Sequence, residues 1–184
     1  MTTTYLSDAE LSAAEIGPDV DGDLLGIYLG DHLTGATAGS SRISDMAERH
    51  ADEPYGPDLA RIAGEVEREC ATLEAVIRAL DLSTHPVRRV VAKVGERVGS
   101  LKPNGRLIGE SPMTPVLELD LVRAAVNGKG AGWEVLQHYA DDLGLPKAVF
   151  TRLIEQSDEQ SETLARAHAV ATDLAFRKPT QTKD

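Results

Sequence analysis

From Leu25 onward, apolar and small residues return at intervals of three and four, so that Leu25, Leu29, His32, Ala36, Gly39, Ile43, Met46 and His50 share one face of a long helix. The punctuated turn Asp52-Glu53-Pro54-Tyr55-Gly56-Pro57 ends that helix, and a second stripe follows through Leu59, Ile62, Val66, Cys70, Leu73, Ile77 and Leu80. A third stripe is expected through Leu117, Leu121, Ala124, Gly128, Ala131, Val135 and Tyr139. A fourth runs through Phe150, Leu153, Ser157, Leu164, Ala167, Ala171 and Leu174. No sustained two-residue alternation bounded by hairpin turns is present, and the predicted class is all-α.

The lengths of the connections then suggest a topology. About six residues join the first two long helices, and Asp142-Leu143-Gly144-Leu145-Pro146 joins the last two, so each pair is expected to be antiparallel. Roughly 35 residues separate the second helix from the third, enough to carry the chain the length of a bundle, which is the single-crossover topology of ferritin-like folds. The crossover has content of its own: Thr84-His85-Pro86 signals a helix start, and Val87, Val90, Val91, Val94, Val98 and Leu101 follow at helical spacing. The expected architecture is thus a ferritin-like four-helix bundle with an extra short amphipathic helix in the crossover. Residues 1–22, polar and broken by Gly17-Pro18 and Asp21-Gly22-Asp23, read as a flexible N-terminal arm or a short docking helix. Residues 23–177 form the helical domain and 178–184 a charged tail.

Charge narrows the partners. The 184-residue chain carries 19 lysines and arginines against 30 acids, a net charge of -11, which repels phosphate backbones, and its seven aromatic residues are too few for a base-stacking platform. Nucleic acid is not an expected partner. The crossover departs from this balance: Arg88, Arg89, Lys93, Arg97, Lys102 and Arg106 against Glu96 leave residues 85–106 at +5 and the remainder at -16. Such a helix docks on its own acidic bundle or offers Arg88, Arg89, Lys93 and Arg97 to an acidic protein partner. No apolar run approaches the length of a membrane span, the start lacks a secretory signal pattern, and the single Cys70 forms no intramolecular disulfide, so a cytoplasmic protein is expected. A homodimer is expected on the general frequency of such assemblies.

The chemistry-bearing residues form no known motif. Di-iron and di-manganese bundles use Glu-x-x-His pairs, but the residues three before His32, His50, His85, His138 and His168 are Leu29, Ala47, Leu82, Val135 and Ala165. His32 lies within an apolar stripe and, if buried, needs a polar partner such as Glu69, Ser157, Gln160 or Ser161. A degenerate iron or manganese site from His32, Glu69, Glu118 and Glu155 is the alternative reading, that of a non-standard metal oxidoreductase. Glu134 with His138 reads as a solvated surface pair, and Cys70 as an inert thiol. Two small-residue patches stand out, Thr34 to Ser41 and Ala124 to Gly132, where each interior glycine costs a helix about 1 kcal/mol. Gly39 and Gly128 either let two backbones approach, the favoured reading, or leave room for a ligand. Lys129, between two glycines, reads as a snorkelling surface residue, with a ligand anchor or Schiff-base lysine as the alternative.

The succession YLGDHLTGATAGSSR, GEVEREC, LKPNGRLIGESP and LELDLVRAAVNGKGAGWEVL, over roughly residues 24–176, resembles a group of uncharacterised bacterial proteins placed in the ferritin-like superfamily. The resemblance implies the fold and brings no activity with it. The expected function is ligand or partner binding by a bundle without the standard di-iron site, the candidate ligand seam lying at Gly39, Gly128 and Lys129.

Overall fold

The computed structural model describes residues 5–82 and 111–177. Within them the chain is all-helical: α1 (Asp8–Ser12), α2 (Gly22–Arg49), α3 (Gly56–Ala79), α4 (Thr114–His138) and α5 (Lys147–Phe176), with no strand among the described residues. Local chemistry explains the boundaries. Asp21 caps α2 by accepting from the Leu24 amide at 3.0 Å. Proline stands in the first turn of α3 and of α4, where the missing N–H has no intrahelical partner to lose. Among the described residues no helix is long and apolar enough to cross a membrane. The expected crossover helix, with Arg88, Arg89, Lys93 and Arg97, and the expected tail at 178–184 lie outside the described residues.

The long helices pack as two hairpins, α2 on α3 and α4 on α5, which meet through α2 with α4 and α3 with α5. Their directions follow from two apolar clusters. One gathers Leu25 and Leu29 of α2, Leu73 to Leu80 around the end of α3, Trp133 and Leu136 of α4, and Phe150 and Leu153 of α5. The other gathers Ile43 and Met46, Leu59 to Val66, Val116 to Val126, and Leu164 to Ala171. The C-terminal half of α3 therefore shares a cluster with the C-terminal half of α4, so these two run parallel, and the chain enters α4 at the opposite end of the molecule from where it leaves α3.

One expectation is corrected. In α4 the predicted stripe faces outward: Leu117 and Leu121 are 43% and 48% exposed, whereas Val116, Leu119, Val122, Val126, Trp133 and Leu136 are buried. Apolar and small residues surround most of this helix, so periodicity admits two phases, and the phase carrying branched and aromatic side chains buries more apolar area. Of the two readings of the N-terminal segment, the short docking helix is the one present. Over residues 5–20 it is docked, not free: Ser7 and Glu10 close a capping box on α1, Leu11, Ala14 and Ile16 pack on the first cluster, and the Glu15 and Gly17 amides donate to the Leu143 and Asp142 carbonyls at 3.2 and 2.8 Å.

Those carbonyls belong to the tight turn before α5, where Gly144 takes φ +62° and a Cβ would lie 2.7 Å from the Ala13 carbonyl oxygen. Replacing Gly144 with alanine is expected to destabilise the protein by about 1–3 kcal/mol, read as a lower denaturant midpoint. Hydrogen exchange at the Glu15 and Gly17 amides should accelerate more than exchange within α5.

Candidate functional site

Between the two apolar clusters the core is interrupted by a polar layer. Ser157 and Gln160 of α5, Glu69 of α3 and Lys129 of α4 fall at this level, one or two turns from either cluster. The Lys129 Nζ donates to Glu69 Oε2 and, at 2.6 Å, to Gln160 Oε1. The Gln160 amide nitrogen in turn donates to Glu69 Oε1 and to Glu65 Oε2, both at 2.9 Å, and Glu65 Oε1 accepts from Arg61 at 2.7 Å. Two carboxylates are thus matched by two cations. The pair at the centre is deep: the side chains of Glu69 and Lys129 are 1% and 12% exposed. Burial pushes the Glu69 carboxyl above its ordinary value, against the pull of Lys129, and pushes the Lys129 amine below its ordinary value, against the pull of Glu69. Both shifts favour the uncharged forms. Lys129 is therefore a buried partner of Glu69, not the snorkelling surface lysine that its glycine neighbours suggest.

Beside this layer, between α2, α3 and α4, lies a cavity of about 340 Å³. Its walls are mostly apolar, from Leu29, Ile43, Val66, Leu73, Val126 and Trp133, and the polar groups on it include His32, Glu69 and Lys129. Gly35, Gly39 and Gly128 form part of the wall, and a Cβ built on any of them meets nothing within 4 Å. The glycines at Gly39 and Gly128 therefore create space instead of bringing two backbones together, which corrects the favoured expectation. Gly132 is different: a Cβ there would lie 2.9 Å from His32 Nδ1, so the absence of a side chain lets the imidazole lie against α4. His32 also packs at a tilt against Tyr28, with ring centroids 4.5 Å apart, and burial lowers its pKa from the ordinary value, opposed by Asp31. Cys70 is half-buried on the cavity wall, where burial raises its thiol pKa. Trp133, the only tryptophan of the chain, is 2% exposed, and its Nε1 is buried without a hydrogen-bond partner among the described residues.

The four residues of the alternative metal reading are not brought together. His32 and Glu69 line the cavity, with Glu69 committed to Lys129 and Gln160. Glu118 sits eleven residues before Lys129, about 16 Å along the helix, and accepts from Arg42 and Arg49 at 3.1 and 2.8 Å. Glu155 is exposed in a separate polar hollow with Tyr5, Arg68 and Arg152. Among the described residues no group of three or more His, Cys, Asp or Glu side chains is placed to hold a metal ion. The donor set does not fit an iron or manganese centre. The sequence offers Glu69, Ser157, Gln160 and Ser161 as partners for His32; Glu69 and Gln160 instead hold Lys129, which the sequence marks only by its glycine neighbours.

No family model, curated protein or solved structure matches the chain. The site is therefore read from its own chemistry.

Two outcomes follow. Lys129→Met, which strands the buried carboxylate, is expected to cost about 3–5 kcal/mol at neutral pH. The folded-state pKa of Glu69 lies above its unfolded value, so its favourable contribution is complete below the unfolded value and is lost as pH rises through the folded one. The variant's deficit should accordingly shrink as the pH is lowered toward about 4.5, as measured by urea unfolding across that range. Separately, Gly128→Ala should stabilise by about 0.5–1 kcal/mol and Gly132→Ala should destabilise, a difference in sign that thermal unfolding of the two variants would show.

Proposed function

We propose that this chain is a ferritin-like four-helix bundle without a di-iron centre, and that it binds one small, mostly apolar, uncharged ligand in the cavity between α2, α3 and α4. The observation that carries this reading is the wall itself, where Gly35, Gly39 and Gly128 hold open about 340 Å³ beside a polar layer. Interior glycines weaken a helix by about 1 kcal/mol each, and here no packing contact offsets that loss. A volume at the lower end of the usual range for small-molecule sites, apolar walls and a few convergent polar groups are the ordinary features of a binding pocket. The buried charge of Glu69 is matched by Lys129 and that of Glu65 by Arg61, and the other acid lining the cavity, Asp31, is exposed. The bundle assignment is supported by the parallel course of α3 and α4 and by the pairing of α2 with α4 and α3 with α5.

The test uses a neutral apolar probe, N-phenyl-1-naphthylamine, titrated into the full chain. Saturable binding near one probe per chain is expected, with a change in Trp133 emission because that indole lines the cavity. Gly39→Leu, which fills the space with a side chain, should weaken binding by about tenfold or more without loss of helical circular dichroism. Unsaturable binding, or binding indifferent to Gly39→Leu, would overturn the reading.

A further inference from the structure

We propose that Lys129 is a nucleophile that captures an apolar aldehyde in this cavity as an imine, with Glu69 moving the protons. The inference rests on the cavity being a ligand site and adds the chemical class of what it takes. Three observations converge on it. Among the described residues the amine is the one lysine or arginine on a mostly apolar wall, buried but bordering open volume. Its carboxylate partner is in direct hydrogen-bond contact, so a proton can pass from nitrogen to oxygen without either group leaving its place. Trp133, one helical turn further along α4, adds its ring to the same apolar wall, with its Nε1–H buried and without an acceptor among the described residues.

The sequence of bonds is balanced. Transfer of one proton from Lys129 to Glu69 leaves a neutral amine and a carboxylic acid. Both groups are pushed in that direction by burial. The nitrogen lone pair then forms a C–N bond as the carbonyl π bond breaks, and the proton lost from nitrogen and the one gained by oxygen pass through Glu69, giving a carbinolamine. The hydroxyl next leaves as water with a proton from Glu69, and the remaining N–H proton returns to Glu69 as the C=N bond forms. The sum is amine plus aldehyde giving imine plus water, with no oxidant or reductant. An arginine in the same place could not do this, since it stays protonated.

The experiment incubates the intact protein with hexanal and sodium cyanoborohydride at pH 7 and maps the reduced adducts by peptide mass. Lys147, exposed at the start of α5, serves as the internal reference. Lys129 should be labelled severalfold faster, because burial lowers its pKa and so raises the neutral amine fraction. In Glu69→Gln the labelling of Lys129 should slow, whereas an amine that is merely unpaired would react faster once its counter-charge is gone. Labelling of Lys129 no faster than Lys147 overturns the proposal. If N-phenyl-1-naphthylamine still binds under that outcome, the ligand site stands and only the nucleophile falls; if the probe also fails to bind, both fall.

Discussion

A lysine and a glutamate buried against each other half-way along four helices constrain almost everything else in this protein. Removing two charges from water is expensive, and their attraction recovers that cost only if the remaining donors and acceptors are also satisfied. Gln160 does this for both members, accepting from Lys129 and donating to Glu69, and it joins them to Glu65 and so to Arg61. Three helices are thereby held in one register. A slide of α3, α4 or α5 by one turn would leave an unpaired charge in an apolar core, a larger penalty than the loss of a few methyl contacts. The layer also divides the core into two clusters, so that neither end of the molecule packs independently of the other.

The cavity is a consequence of the same layer. Glu69, Lys129 and Gln160 come from α3, α4 and α5, and α2 supplies no member of the hydrogen-bonded set. Opposite the layer α2 instead offers Gly35, Ala36 and Gly39, and α4 answers with Ala125 and Gly128, so volume remains where a fourth polar group would otherwise sit. Filling that space with methyl groups would raise helix propensity without a clash. A chain that keeps glycine at such positions gives up stability there, the usual relation between a binding site and its scaffold.

The four long helices were legible in the sequence because caps, prolines and turns act locally: Asp21, Pro57 and Pro146 sit where three of them begin. The phase of α4 was not legible, because Leu117 and Leu121 alternate with Val116, Leu119 and Val122 on a helix apolar nearly all round, and only the neighbouring helices decide which face is covered. The site was half legible. Gly39, Gly128 and Lys129 stood out as a costly cluster, and they do share one wall. What Lys129 touches could not be read, since Glu69 lies 60 residues away and nothing in the spacing of either helix fixes their rotation. His32 drew attention for its place in a stripe, yet its neighbours are the Tyr28 ring and the bare backbone at Gly132.

The contrast with the other buried carboxylate of α4 shows why chemistry belongs to one end of that helix and not the other. Glu118 shares the face of Lys129 and is nearly as buried as Glu69, but its partners are Arg42 and Arg49, both partly exposed, with His50 Nε2 at 3.7 Å. Guanidinium groups stay charged at any working pH, so this cluster can only clamp α2 to α4. Glu69 faces an amine that can give up its proton, in a wall that borders open volume. Two ion pairs of similar depth on one helix thus differ in the one property that matters for reaction: whether the cation can become a nucleophile without leaving its partner.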